Sequence, residues 1–175
     1  YLIIADIDME SFSQEAKLSG ELFKGRASYV AGLFYMREEN RSLIGDLGGL
    51  DPIVFTRRDL RNDTTSSAAY AQVDFDLSER LSLTAGIRFT NEKKDIDVNY
   101  TNELAGVTFT NADLVAVGIP THQTEDRWTP KIGLQYQITD GVMTYISATN
   151  GFKSGGWNAR VDQAVNLVAF GPEKV

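Results

Sequence analysis

Residues 69–89 read AYAQVDFDL, then SER, then LSLTAGIRF, and this stretch decides the fold of the chain. Apolar and polar residues alternate on both sides of the polar break Ser78–Arg80. Alternation over this length is typical of β-strands that have one apolar and one polar face. The stretch therefore predicts a β-hairpin that turns at residues 78–80.

Pairing the two halves of this hairpin tests whether the alternation is coherent. With the turn at 78–80, every pair on one face is apolar: Leu77–Leu81, Phe75–Leu83, Val73–Ala85 and Ala71–Ile87. The other face carries Tyr70, Gln72, Asp74 and Asp76 against Ser82, Thr84, Gly86 and Arg88. Because this second face is too charged for a protein core, it needs water, whereas the first face needs hydrocarbon.

Two architectures satisfy both faces. In a soluble all-β module that binds a ligand such as a carbohydrate, the apolar face packs against a second sheet. In a transmembrane barrel, the apolar face meets lipid and the polar face lines the lumen. The hairpin alone leaves both open.

Composition narrows the classes of function. The 175 residues have a formal net charge of −7 and scattered basic residues, which argues against a nucleic-acid partner because phosphate contacts need clustered Lys and Arg. The absence of cysteine excludes disulfides, thiolate metal sites and cysteine nucleophiles within this sequence. No apolar run approaches the roughly 20 residues of a spanning helix, but a transmembrane strand needs only about 9 to 11.

Alternation predicts further strands on both sides of the hairpin. Residues 12–19 form a first strand, residues 20–25 a turn, and residues 27–38 a second strand whose outward face the pattern does not assign. After Phe89 the alternation continues to Tyr100 with both faces polar, so about half of this strand should project beyond a bilayer core of about 30 Å.

A second hairpin is predicted from the dipeptide Asp140–Gly141, a strong two-residue turn signal. Residues 127–138 and 142–158 pair about this turn, which places Trp128 opposite Lys153. Trp128 and Trp157 then lie at the same end of the sheet, where amphipathic rings suit a membrane–water interface.

Two segments without periodicity, residues 39–63 and 102–126, are predicted to be long loops. Short and long connections then alternate, which places the tight turns on one side and the long loops on the other. Outer-membrane barrels show this asymmetry. We therefore predict an all-β, antiparallel up-and-down meander of about six transmembrane strands, part of a larger barrel in a Gram-negative outer membrane.

The barrel interpretation gives roles to two sets of residues. The apolar side chains of the alternating strands should face lipid: Ala71, Val73, Phe75, Leu77, Leu81, Leu83, Ala85, Ile87, Ile132, Leu134, Tyr136 and Ile138. Basic and aromatic residues of the predicted loops are candidates for contact with an anionic substrate: Arg41, Phe55, Arg57, Arg58, Arg61 and Phe109.

Three phrases resemble successive segments of the barrel domain of TonB-dependent outer-membrane receptors. They are Trp128-Thr129-Pro130-Lys131-Ile132-Gly133-Leu134, Gly151-Phe152-Lys153-Ser154-Gly155-Gly156-Trp157-Asn158 and Phe170-Gly171-Pro172-Glu173-Lys174-Val175. Shorter phrases at residues 12–15, 31–35 and 84–89 resemble the same family in the same order.

The resemblance implies a 22-stranded barrel with an N-terminal plug in its lumen. Such receptors take up ferric siderophores, haem, cobalamin or oligosaccharides, driven by the TonB complex. We expect residues 1–175 to be part of the barrel domain, without the plug, the TonB box or the closing C-terminal strand. The implied partners are outer-membrane lipid, the plug and remaining strands, the TonB complex through the plug, and an iron–siderophore or similar nutrient.

The remaining polar motifs are explained more simply by structural roles than by catalysis, nucleotide binding or metal binding. Residues 151–156 superficially resemble a phosphate loop, but the required spacer and helix are missing, so the glycines should instead allow close approach of strands. His122 should be solvated, and the pairs Asp74/Asp76 and Asp95/Asp97 should be ordinary surface charges. We predict no catalytic residue, no metal site and no cofactor.

Overall fold

Six long strands form one antiparallel sheet. The computed structural model describes the backbone of residues 2–48 and 53–174. In chain order the first seven strands are β1 (Leu2–Leu22), β2 (Ala27–Gly48), β3 (Ile53–Ser78), β4 (Leu81–Asn102), β5 (Val107–Thr110), β6 (His122–Thr139) and β7 (Val142–Thr149). The sheet order is β1-β2-β3-β4-β6-β7, with the short β5 beside the end of β4. The predicted all-β meander of six strands is confirmed.

Short elements complete the fold. Helix α1 (Asn111–Ala116) follows β5, and the chain after β7 contains β8 (Phe152–Lys153), β9 (Gly156–Asn158), a 3₁₀ turn (Ala164–Asn166), β10 (Val168–Phe170) and β11 (Glu173–Lys174). β9 pairs with β10, and β8 pairs with β11. In the described ranges, no helix combines the length and apolar character needed to cross a membrane.

The central hairpin has the predicted register over most of its length. The pairs Phe75–Leu83, Val73–Ala85 and Ala71–Ile87 are confirmed. The pair Leu77–Leu81 is wrong, because Ser78 pairs with Leu81 and Leu77 forms a bulge beside a turn at Glu79–Arg80. The physical reason is that a two-residue turn matches the twist of paired strands and the bulge absorbs the extra residue.

The second hairpin also departs from its prediction. A bulge at Ile138 shifts the register between Gln137–Met143 and Thr139–Val142. β7 stops at Thr149, so the predicted strand 142–158 and the pair Trp128–Lys153 are wrong. Pro130 explains the end of this pairing: it accepts a bond from the Asn150 amide (3.1 Å) but, as a proline, donates none in return.

The two predicted long loops are also wrong. β2 and β3 stay paired through residues 39–63 as far as Gly48 and Ile53, and residues 102–126 contain β5, α1 and the start of β6. The β2–β3 extension lacks apolar alternation because ion pairs such as Arg41–Asp59 join its strands. A hairpin with two polar faces therefore looks like a loop in sequence.

The strand register assigns every residue to one of two faces. We call the face with Val73, Ala85 and Ile132 the front face, and the face with Gln72, Gly86 and Lys131 the back face; each trio forms neighbouring pairs across β3, β4 and β6. Ala31 of β2 pairs with Ala71 and therefore lies on the front face. The face of β2 that the sequence left open is thereby assigned.

Candidate functional site

The front face carries an apolar band next to the tight turns. Four lateral rows make up most of this band: Leu22–Ala27–Phe75–Leu83–Leu134–Ile146, Gly20–Tyr29–Val73–Ala85–Ile132–Ala148, Leu18–Ala31–Ala71–Ile87–Pro130 and Ala16–Leu33–Ala69–Phe89–Trp128. The pair Leu81–Tyr136 forms its edge next to the turns. Val73 is 39% exposed, Ile87 49% and Leu134 43%. These side chains are not packed against a second sheet in the described part of the chain.

The band ends sharply at an aromatic pair. Phe89 and Trp128 are neighbours across β4 and β6, with ring centroids 4.8 Å apart. The next row reads Gln14–Tyr35–Ser67–Asn91–Asp126 and is largely polar. From Leu81 to Phe89 the strand runs about 26 Å, or about 20 Å along the normal at a tilt of about 40°, close to the apolar belt of a membrane barrel.

Most residues of the predicted lipid-facing set lie in front-face rows. The exceptions are Leu77 and Ile138, which sit at the two bulges. The common face and the exposure of the other residues in the set agree with the expectation, while their contact with lipid stays a prediction.

The back face of the same band is polar and holds an ordered arginine. The guanidinium carbon of Arg88 lies 5.4 Å from the ring centroid of Phe34 and 5.8 Å from that of Tyr70. Arg88 Nε also donates to the hydroxyl of Thr90 (3.2 Å). Arg88 is thus fixed by contacts from three different strands.

Tyr70 is held in turn by its own neighbours. Its hydroxyl donates to Glu15 (2.8 Å), which also receives Lys17 Nζ (3.1 Å). A Cβ at Gly32 would lie 2.5 Å from the Tyr70 ring, so the glycine allows the ring to lie across β2. The four strands β1 to β4 therefore combine to position Arg88.

Other back-face carboxylates bond to neighbouring side chains. Asp74 accepts from Thr84 and from Gln72, and Asp76 accepts from Ser82 (2.6 Å). In the described ranges, no group of three or more His, Cys, Asp or Glu side chains is arranged to hold a metal ion.

Beyond the aromatic pair, the front face becomes strongly charged. Arg41 makes a bidentate contact with Asp59 (3.0 and 2.7 Å), and Arg61 contacts Glu39 (3.1 Å) and Asp63 (3.3 Å). An open cleft of about 500 Å³ is bordered by Glu39, Arg41, Asp59 and Arg61. The bond from Arg41 lowers the pKa of the Asp59 carboxyl from its ordinary value, against the opposing effect of burial.

The predicted substrate residues do not form one cluster. Arg41, Arg57 and Arg61 lie on the front face, whereas Arg58 lies on the back face. Arg58 bonds to the buried Asp46 (2.6 Å) and lies 5.6 Å from the Tyr100 ring centroid, and Phe109 stacks on Tyr100 at 4.6 Å. The side chain of Phe55 lies outside the described residues.

A small core that was not predicted lies on the back face at the far end of β4. It consists of Ile96, Val98, Tyr100, Phe109, Leu114 and Leu167. The expectation that this part of β4 is polar on both faces is wrong. The missed signal is the alternation of Ile96, Val98 and Tyr100 with Asp95, Asp97 and Asn99, which marks one apolar face.

The double glycine of the 151–158 phrase is docked beside this core. Lys94 Nζ donates to the carbonyl of Gly155 (3.0 Å), and Gln123 donates to that of Gly156 (3.2 Å). A Cβ at Gly155 would lie 2.5 Å from the Phe170 carbonyl oxygen, so only glycine fits there. The close approach expected for these glycines is observed.

The two tryptophans have different surroundings. Trp128 is 64% exposed on the front face, whereas Trp157 packs at the edge of the back-face core and donates its indole N–H to the Pro120 carbonyl (2.6 Å). The expectation that both rings mark one membrane interface is therefore wrong for Trp157, which packs against the back-face core.

His122 lies on a strand and not in a loop. Its Nδ1 is 2.8 Å from the Asp95 carboxylate and its Nε2 is 2.9 Å from the Thr124 hydroxyl. Asp95–His122 is the last pair of the β4–β6 ladder. The exposed histidine thus links the two strands where they separate.

Together these features define a class of protein: a wall of long antiparallel strands with an exposed apolar band on one face and a polar opposite face. The family model described as "TonB dependent receptor-like, beta-barrel" matches residues 6–174. The chain belongs to this family.

Two solved structures are similar in fold. The ferric yersiniabactin uptake receptor FyuA from Yersinia pestis has a TM-score of 0.73 and 19% identity, over 98% of this chain and 26% of its own. The alcaligin outer membrane receptor FauA from Bordetella pertussis has a TM-score of 0.54 and 24% identity, over 87% of this chain and 22% of its own. This chain thus spans about a quarter of the length of these receptors.

Proposed function

We propose that this chain is part of the barrel wall of an outer-membrane receptor that imports a nutrient in a TonB-dependent manner. It would supply six strands of a 22-stranded barrel. Lipid would meet the front face, and the back face would line the lumen. The other expected partners are the plug, the remaining strands and the TonB complex through the plug, and no catalytic step is involved.

The observation that carries this proposal is the apolar band of the front face. Its exposed apolar rows are bounded by Phe89 and Trp128, and two of them extend across all six strands. An exposed apolar surface of this extent is unfavourable in water and suits a hydrocarbon environment. The polar back face suits a water-filled lumen.

We propose an iron–siderophore as the nutrient. The support is that both similar receptors bear the names of such ligands, ferric yersiniabactin and alcaligin. Within the predicted substrate set, Arg41, Arg57 and Arg61 are exposed but lie on the front face, and Arg41 and Arg61 are already paired with carboxylates, so their contact with a ligand stays a prediction. Arg58 and Phe109 instead support the fold, because they pack on Tyr100.

Membrane fractionation and iron uptake test this function. The full-length receptor should sediment with outer membranes and require detergent for extraction. A strain that lacks its own siderophore receptors should gain uptake of radioiron from at least one of a panel of ferric siderophores that includes yersiniabactin and alcaligin. A product that is monomeric in buffer without detergent would contradict the membrane assignment, and outer-membrane location without uptake of any chelate would contradict the substrate class.

A further inference from the structure

Two cations on the back face of the band form no salt bridge among the described residues. Lys17, Arg88 and Lys131 lie within two neighbouring lateral rows of this face. Lys17 is paired with Glu15 at 3.1 Å. Among the described residues, Arg88 and Lys131 form no salt bridge; their polar contacts are the Thr90 hydroxyl and the Gln72 amide oxygen (3.4 Å).

Neighbouring side chains restrict the guanidinium of Arg88. The rings of Phe34 and Tyr70 restrict its guanidinium plane, and the bond from Nε to Thr90 fixes its rotation. These contacts leave the two terminal amino groups without a partner among the described residues. A guanidinium whose position is already fixed loses little entropy when it forms a bidentate contact.

Lys131 adds a second positive charge beside the Arg88 guanidinium. Arg88 pairs with Thr129, and Lys131 pairs with Gly86, so the two cations are diagonal neighbours on the same face. Diagonal neighbours lie about 7 to 8 Å apart at the backbone, within reach of one ligand for long side chains. Gln72 offers Lys131 only a neutral acceptor.

We propose that Arg88 and Lys131 bind a carboxylate inside the barrel. Two neighbouring cations without a salt bridge in the described ranges attract an anion, and the planar guanidinium of Arg88 matches a carboxylate. Glu15 on the same face repels additional negative charge, which favours a single carboxylate over a doubly charged phosphate. This inference rests on the proposed function, because it takes the back face to be the lumen wall.

A zero-length coupling experiment tests the site in the full-length receptor in detergent. A water-soluble carbodiimide activates a carboxylate, and a lysine amine in contact with it then forms an amide. One arm contains the receptor alone, and the other contains added citrate as a simple carboxylate probe. Peptide mass spectrometry then identifies what has been joined to Lys131.

The two arms distinguish the sources of the carboxylate. Coupling of Lys131 to an Asp or Glu of the receptor outside residues 1–175 shows that the protein supplies it, and citrate-labelled Lys131 in the second arm shows a site open to small ligands. In either case Arg88→Gln should lower the yield at least about tenfold, because the guanidinium is lost. Three results overturn the proposal: Lys131 coupled only to a carboxylate within residues 1–175 such as Asp74, Lys131 without product in both arms, or a yield unchanged by Arg88→Gln.

Internal controls separate this result from misfolding and from the proposed function. Coupling of Lys17 to Glu15 should persist in Arg88→Gln. Labelling of Lys93 on the front face by citrate should be the same in Arg88→Gln as in the unsubstituted receptor. If Arg88→Gln does not reach the outer membrane, Arg88→Lys keeps the charge without the guanidinium and should lower the yield about threefold. A receptor that imports iron but gives no Lys131 product refutes the carboxylate site alone.

Discussion

A charge in the middle of the apolar band should prevent stable insertion of the sheet. Ala85 lies on the front face of β4 between Val73 and Ile132, midway between Leu81 and Phe89. It is therefore about 10 Å along the normal from either edge of the band. At that depth Ala85→Arg should cost about 2 to 4 kcal/mol, a change of about 30- to 1000-fold in the folding equilibrium.

Two matched substitutions on the same strand separate the effect of membrane depth from the effect of the sheet face. Leu81→Arg lies on the front face at the edge of the band and should cost only about 0 to 1 kcal/mol from lipid exposure. Thr84→Arg lies next to Ala85 on the back face and brings its charge toward Asp74, so it should be tolerated. The assay is reversible denaturation of the full-length receptor in lipid vesicles.

The comparison between Ala85 and Thr84 decides the face assignment. Equal losses for Ala85→Arg and Thr84→Arg would refute the reasoning, since adjacent residues point to opposite faces of one strand. A loss for Leu81→Arg as large as that for Ala85→Arg would refute the depth assignment.

Three further predictions concern the part of the sheet beyond the band. Leu114→Ala should cost about 2 to 5 kcal/mol locally, seen as faster amide exchange in α1 and at the end of β4, because Leu114 is fully buried; the exposed neighbour Val115→Ala should change exchange little. Gly155→Ala should release the segment 156–170 to proteolysis because its Cβ would clash with Phe170, while Gly171→Ala, with open space around it, should not; equal proteolysis would contradict the docking. Because Arg41 lowers the pKa of Asp59, the pair should stabilise the β2–β3 extension at pH values above the ordinary carboxyl pKa of 3.8 and lose this effect as the pH falls below it. Arg41→Gln should remove that pH dependence from the amide exchange of the extension, and an unchanged pH profile would count against the pair.

The fold class could be predicted because apolar and polar residues alternate regularly on both strands of the central hairpin. Phe75, Val73 and Ala71 each pair with an apolar partner, and this coherence is a property of the sequence alone. Turn geometry was less accessible, because moving the turn by one residue converts Leu77 from a paired residue into a bulge. Such a shift depends on twist and on contacts such as Arg26 to the Asp76 carbonyl (3.1 Å), which lie far apart in sequence.

The polar extension could not be recognised from periodicity. Arg41 and Asp59 are distant in sequence, and only the register brings them to a bidentate contact. Hydrophobic alternation carries no information where both faces are polar, so strands and loops look alike. The same limit applies to Arg88, whose partners Phe34 and Tyr70 come from two other strands.

The most direct test of the membrane wall is a nitroxide scan along β4 in the reconstituted receptor. Residues 1–175 contain no cysteine, so single cysteines from Leu81 to Asn91 add no background within this segment. Oxygen, which partitions into lipid, should be most accessible at the odd positions Ala85 and Ile87, and a water-soluble nickel chelate at the neighbouring even positions Thr84 and Gly86. The oxygen signal should disappear beyond Phe89. Odd positions that neither reagent reaches would show that the apolar face is packed against protein and would contradict the account.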